Sequence, residues 1–175
     1  LAAEVDGEVK DLRTTPTGDC TVNFLTWDSE KGRLAYRHTA SHVLAQAVKR
    51  LYPDTKLAIG PAIENGFYYD FDFETPITAA ELEKIEAEMK KIIKENIPIE
   101  RFTLPRDEAL AMMREQGESY KTELIEELPE GEEISFYRQG DFTDLCAGPH
   151  LMSTGKLKAI KLQYTAGAGM RRIRC

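Results

Sequence analysis

The sequence predicts an α+β fold: an antiparallel sheet with helices packed on it, preceded by a small β-rich segment. Three observations lead there. Apolar residues recur at helical spacing in several separated stretches, the clearest between Thr78 and Asn96. Between them lie runs that alternate apolar and polar residues, the longest opening after Asn65-Gly66. The two kinds of stretch interleave without a regular βαβ repeat, which favours an antiparallel sheet over a parallel one.

Residues 1–28 predict short strands. Asp6-Gly7 is a turn signal inside EVDGEVKDL, and CTVNFLTW places Val22, Phe24 and Thr26 on one side. Asp28–Gly32 breaks that pattern, so a domain boundary is expected there, dividing the chain into residues 1–31 and 32–175. Tyr36–Tyr52 predicts a helix whose apolar stripe is Leu44, Ala47, Val48 and Leu51, ended by Pro53. Asn65-Gly66 predicts a type I′ hairpin. Its second strand sets Phe67, Tyr69, Phe71 and Phe73 on one face and Tyr68, Asp70 and Asp72 on the other. In the helix Thr78–Asn96, Thr78 and Glu81 form a capping box, Leu82, Ile85, Met89 and Ile92 are the buried stripe, and Asn96 and Pro98 close it. A strand at Ile99–Leu104, a helix at Pro105–Gln116 stopped by Gly117, and a strand at Ile134–Arg138 follow. GDFTDLCAGPH is expected to be a loop, leading to a last strand near Leu157–Thr165.

Composition excludes several function classes. A chain of 175 residues, 42% hydrophobic and 30% charged, suits one substantial soluble domain with a small appendage. No apolar run approaches the ~20 residues that span a bilayer, so no membrane partner is expected. LAAEVDGEVK lacks the apolar segment of a signal peptide, and a start without Met is what a fragment or a processed chain would show. Cys20, Cys146 and Cys175 are odd in number and widely spaced, which argues for a reducing, cytoplasmic setting without a disulfide framework. A net charge of −7 argues against a general nucleic-acid coat protein. After His150, however, come Lys156, Lys158, Lys161, Arg171, Arg172 and Arg174 and no acid; they leave 17 of the 23 basic and all 30 acidic groups in residues 1–150. Such a segment can meet phosphate locally, although a solvated terminal strand is the plainer expectation.

All three histidines fall in two short motifs. His38-Thr-Ala-Ser-His42 puts two imidazoles one helical turn apart, roughly opposite the Leu44/Val48/Leu51 stripe, so the pair is expected off the core-facing side. Cys146-Ala-Gly-Pro-His150 is a loop that can fold a thiol and an imidazole toward that pair. Three nitrogens and one sulfur suit tetrahedral zinc. The glutamate of a helical zinc-protease motif is missing, and two unrelated surface histidines would explain the first motif alone. A structural zinc, a catalytic zinc and a metal-free polar site all remain open at this point. Cys146 with His150 would also serve as a nucleophile and base, against the plainer reading of Cys146 as a small buried hydrophobe. Asp144 is either an orienter of an imidazole or a turn residue. Lys121, in GESYK, aims an ammonium into a cleft or is simply solvated. Tyr69 packs in the core unless its hydroxyl is used.

RHTASHVLAQAV, AIGPAIENGFYYDFD, GESYK and DLCAGPH, in this order and at this spacing, resemble the editing domain of bacterial threonyl-tRNA synthetases, over roughly Gly32 to Ala168. Residues 1–28 resemble the C-terminal half of the small TGS domain that precedes it. The related alanyl-tRNA synthetase editing domains share both His/Cys pairs, but their loop usually has CGGTH where this chain has CAGPH. The resemblance implies a helix bearing His38 and His42 near the Cys146–His150 loop, over a sheet, with a cleft for the 3′ end of tRNA(Thr) charged with serine. By position, His38, His42, Tyr69, Lys121, Asp144, Cys146 and His150 match residues that line the family's site. The alanyl relatives bind zinc there and the threonyl type works without metal, so no cofactor is required and zinc comes second. Where the family continues with AGAYWRGD and a class II catalytic core, this sequence has AGAGMRRIRC, with some likeness to the GVRRI of alanyl-type editing proteins. The aminoacylation core is thus absent from this sequence and expected in the full-length enzyme.

Serine is threonine less one methyl, a difference worth only ~1–3 kcal/mol to a binding pocket. A second sieve that hydrolyses the smaller product meets that need. The expected roles are His38 as the residue that positions or deprotonates water and Lys121 as stabiliser of the oxyanion or donor to the leaving ribose oxygen. His42, Tyr69, Asp144, Cys146 and His150 are expected to bind substrate and shape the cleft. A non-catalytic zinc module that docks tRNA, a cysteine hydrolase and an alanyl-type trans-editing deacylase are the alternatives.

Overall fold

The computed structural model describes residues 1–167 and 171–175. Strands β1 (Ala2–Val5), β2 (Glu8–Lys10) and β3 (Val22–Leu25) form an antiparallel sheet in the order β2-β1-β3. Asp6 and Gly7 have φ of 49° and 87°, the left-handed pair that a type I′ turn requires. Val22 and Phe24 share a side, but it is the outer one: Phe24 is 78% exposed, while Leu25 turns inward against Ala2 and Ala35.

Helix α1 spans Glu30–Leu51 and starts well before the expected Tyr36. The Asp28–Gly32 break is its cap, because the Ser29 hydroxyl accepts the Gly32 N–H. From Thr39 to Val48 every residue is buried, so the expected one-sided stripe is corrected to a helix enclosed on all sides. Two of the polar residues on it, Ser41 and Gln46, have partners that offset their burial. Ser41 donates to the Gly60 carbonyl, and Gln46 and Gln139 exchange amide contacts.

The second sheet joins β4 (Lys56–Leu57), β5 (Ala62–Ile63), β6 (Gly66–Asp72), β10 (Tyr164–Ala166) and β11 (Arg171–Arg174), in the order β10-β11-β6-β4 with β5 also on β6. The predicted hairpin forms, but Ile63 pairs Gly66, so its loop is Glu64-Asn65, and neither residue has a positive φ. It is therefore not type I′. The alternation holds: Phe67, Tyr69 and Phe71 are buried and Phe73 packs at the core's edge. Helix α2 (Ala79–Glu95) carries the predicted capping box, buries Ile85, Met89 and Ile92, half-buries Leu82, and ends at Asn96 with φ 49°. It lies against α1.

The third sheet runs β7-β8-β9, with β7 at Ile99–Thr103, β8 at Ser135–Gln139 and β9 at Phe142–Leu145. Helices α3 (Arg106–Glu115) and α4 (Ser119–Glu127) pack with it around Ala109, Met113, Ile125, Ile134 and Phe136. The expected loop at GDFTDL is partly strand β9. Gln139 pairs Phe142 across Gly140-Asp141, with Gly140 at φ 61°. The sequence also concealed α4, whose N-cap residue, Glu118, makes no side-chain cap. Its carboxylate is instead buried, accepting the Leu57 N–H and pairing with Lys49.

The last strand is shorter than expected and followed by another. Residues Leu157–Gln163 are irregular, and β11 inserts between β10 and β6, with Ile173 opposite Tyr69 and fully buried. Arg172 pairs with Asp70, and its guanidinium carbon stands 3.8 Å from the Tyr68 ring centroid. Residues 168–170, where the tail departs from the family pattern, lie outside the described residues. No helix among the described residues is long and apolar enough to cross a membrane.

Candidate functional site

Helix α1 places His38 and His42 one turn apart. Strand β9 carries Asp144 and runs into Cys146, whose N–H still bonds the Ser135 carbonyl. The segment after it returns His150 over the helix. Gly148 permits that return: its φ is +78°, and a Cβ there would stand 2.1 Å from the Tyr137 hydroxyl oxygen. The three imidazoles nest, with ring centroids 4.1 Å apart for His38–His150, 4.2 Å for His42–His150 and 5.2 Å for His38–His42. Cys146 Sγ lies 3.3 Å from His38 Nε2 and 3.2 Å from His150 Nε2.

Hydrogen-bond counting assigns the protons. The Pro149 carbonyl only accepts, so His38 Nδ1, 3.3 Å away, carries the proton and Nε2 keeps a lone pair. The Cys146 thiol donates its one proton to that lone pair. Sγ then accepts from His150 Nε2–H, as it does from the Gly148 N–H at 3.3 Å. His150 Nδ1 is left as an acceptor, and Thr39 Oγ1, 3.0 Å away, donates to it while accepting the Leu151 N–H at 2.9 Å. The path closes with neutral rings and a neutral thiol.

Electrostatics agree. Burial pushes the Cys146 thiol up to about 12, against a smaller lowering by the Gly148 N–H. Burial lowers His42 to about 3, outweighing the nearby Asp144 carboxylate. It also lowers His150 well below the ordinary value, helped by the two other imidazoles and Arg13, and lowers His38 despite the Pro149 carbonyl. All three rings are therefore neutral near pH 7.

Beneath the rings lies a charged pair. Lys121, in the first turn of α4, and Asp144 are both almost fully buried, with Nζ 2.9 Å from Oδ1. Asp144 Oδ2 accepts the Tyr69 hydroxyl at 2.7 Å, which uses the one polar atom on an otherwise apolar strand face. Burial works to raise the Asp144 carboxyl, but Lys121 and its other partners hold it below the usual range. His42 Nε2 is 3.7 Å from Oδ2, too far for a hydrogen bond, and a neutral ring makes no ion pair.

His38 is the imidazole that meets a cavity of about 350 Å³, walled also by Val9, Lys31, Pro61, Ala62 and Pro149. All seven residues singled out in the sequence thus belong to one cluster. Its ligand-type atoms on His38, His42, Cys146 and His150 lie within 4.8 Å of one another, a set able to hold a metal ion such as zinc. Loading it would require Cys146 to lose its proton and His150 to carry its proton on Nδ1, against Thr39. Sequence reasoning missed Thr39 and Tyr137. Thr39 sits inside the histidine motif but looks like an ordinary helical residue. Tyr137 alternates on β8 like any core aromatic, yet its ring centroid is 4.5 Å from that of His150.

Comparison with known proteins places this geometry. Residues 134–174 match the family described as the threonyl and alanyl tRNA synthetase second additional domain, a stretch that holds Asp144, Cys146 and His150. The threonine–tRNA ligase of Acetivibrio thermocellus is 70% identical over 171 residues, 98% of this chain and 27% of that relative. Those of Clostridium botulinum and Clostridium tetani are 63% and 62% identical over the same length, with the same coverage. The chain thus spans about a quarter of the length of the curated relatives it matches. This likeness, of nearly the whole chain to part of the threonine–tRNA ligases and of residues 134–174 to the second additional domain of threonyl and alanyl tRNA synthetases, is the one a bacterial threonyl-tRNA synthetase editing domain would show.

Proposed function

We propose that this domain hydrolyses the ester that joins serine to the terminal ribose of tRNA(Thr). The observation that supports this best is the neutral His38 imidazole at the wall of the 350 Å³ cavity, backed by His42, Cys146 and His150. Water attacks the seryl carbonyl carbon, the bond to the ribose oxygen breaks, and that oxygen takes up a proton, releasing free serine and tRNA. Neutral His38 orients the water or removes its proton through Nε2, where water displaces the weaker thiol donor of Cys146. Lys121, paired with Asp144, supplies positive potential to the developing oxyanion or a proton to the leaving oxygen. His42, Tyr69, Asp144, Cys146 and His150, packed behind His38, hold the pocket in the shape that is to bind the seryl group and exclude the extra methyl of threonine.

The same reading makes the 3′ end of serine-charged tRNA(Thr) the partner, the cytoplasm the location, and the aminoacylation core part of the full-length enzyme. It also takes residues 1–31 as the C-terminal part of a TGS-like domain and 32–175 as the editing domain. Serine release from Ser-tRNA(Thr) tests the roles: His38→Ala and Lys121→Ala should each lose it, and unchanged rates in both would discard them.

The compact donor set favours one second reading, a zinc module that docks tRNA without catalysis. His38, His42, Cys146 and His150 would hold the ion, which in that reading would supply rigidity. It predicts stoichiometric zinc and unfolding by chelator without deacylation. A cysteine hydrolase is disfavoured, because a thiol pushed to about 12 holds almost no thiolate at neutral pH.

A further inference from the structure

The N-terminal β unit reaches the site chiefly through one ion pair, Arg13 with Asp11. Arg13, after β2, donates to the Leu151 carbonyl at 2.7 Å, the Ile99 carbonyl at 2.9 Å and the His150 carbonyl at 3.4 Å. Asp11 pairs with Arg13 at 2.7 Å and is 5% exposed. Its carboxylate also accepts the Tyr137 hydroxyl at 2.6 Å. Tyr137 in turn lies edge-on to the His150 ring and occupies the space that a side chain at Gly148 would need. The segment from Gly148 to Leu151 is thus held from two sides by one ion pair, through its carbonyls by Arg13 and through Tyr137 by Asp11. Val9 of the same unit stands in the cavity wall beside His38, as does Lys31 from the first turn of α1.

We propose that Arg13 and Asp11 are positioning residues for the site: the N-terminal unit sets the placement of His150, and through Cys146 that of His38, so residues 1–31 complete the editing site rather than merely precede it. A planar guanidinium suits this role because its several N–H groups reach divergent carbonyls at once, where an ammonium acts as a point donor. Arg13 also stacks near the Tyr137 ring, 5.6 Å from its centroid, which ties the two arms together. Without the pair, the His150 segment has fewer restraints and the thiol–imidazole path loses its register.

This proposal rests on the deacylase reading for its kinetic arm and not for its spectroscopic one. The experiment compares the full chain with Arg13→Gln, Arg13→Lys and Asp11→Asn, and with Lys10→Gln as a half-buried neighbour that pairs only with Glu8. Side-chain ¹⁵N spectra of the three histidines are recorded on each, with serine release from Ser-tRNA(Thr) measured alongside. Arg13→Gln should shift the His150 and His38 ring resonances and lower kcat about tenfold, with KM within about twofold. Arg13→Lys should restore part of both, Asp11→Asn should move the same resonances less, and Lys10→Gln should move neither. If Arg13→Gln does not fold, Arg13→Lys and Asp11→Asn carry the comparison alone. Unaltered His150 and His38 resonances in the folded Arg13 and Asp11 variants would overturn the proposal. Altered resonances in the variants, with a wild-type chain that itself releases no serine, would instead count against the deacylase reading and leave the positioning role standing.

Discussion

Thr39 Oγ1 stands 3.0 Å from His150 Nδ1, and that contact supports the tautomer that turns Nε2–H toward the thiol. With Thr39 as donor, Nε2 holds the proton and points it at Cys146. Thr39→Val removes both this donor and the acceptor of the buried Leu151 N–H. We expect a stability loss of about 1–3 kcal/mol in urea unfolding. Histidine ¹⁵N spectra should show His150 redistributing toward the Nδ1–H tautomer. An unchanged tautomer would contradict the proton assignment.

Asp144 and Lys121 test burial of charge. Removing one partner strands the other in the interior. Asp144→Ala should cost about 3–5 kcal/mol, and adding Lys121→Met to it should restore a good part of that loss. A double-mutant cycle by urea denaturation reads this directly. Additive losses would mean that the pair is not coupled.

The pH dependence of stability follows from His42. Its folded value, about 3, lies below the 6.5 of an ordinary imidazole, so between these values the unfolded chain binds the extra proton. Stability is then full above pH 6.5 and falls with acidification toward pH 3. Between pH 7 and 5, His42 alone should cost about 2 kcal/mol, with losses of the same sign from His38 and His150. Unfolding free energies at the two pH values should show the fall, and His42→Asn should reduce it.

Cys146 should be a poor nucleophile. Burial holds its thiol near 12 and the side chain is tucked among three imidazoles, whereas Cys20 is exposed. A thiol alkylator at pH 7.5 should modify Cys20 well before Cys146, as read by peptide mass spectrometry. Serine release should survive that first modification. Rapid labelling of Cys146 would revive the covalent alternative.

The sequence was most legible where one periodicity ruled. The α2 stripe and the β6 alternation appear as predicted because their apolar residues face a single core. Helix α1 misled because it is enclosed: burial on every side erases the contrast that marks an inner face, so His42 looked peripheral and is buried. Helix α4 was missed because Glu118 is spent on Leu57 and Lys49 rather than on capping. Strand β11 was missed because its partner, β6, lies about a hundred residues upstream and nothing local announces the pairing. The cluster itself was legible because all three histidines and one thiol fell into two compact motifs. Its supports were not, since Thr39, Tyr137 and Arg13 act through contacts that only the fold creates.

The most direct measurement is the rate of amino-acid release by the wild-type chain, after exhaustive chelation, from tRNA(Thr) charged with serine and from the same tRNA charged with threonine. Release of serine well above the uncatalysed rate, with threonine largely spared, is the predicted result. Equal release of both amino acids, or serine release that vanishes with the metal and returns with zinc, would contradict it.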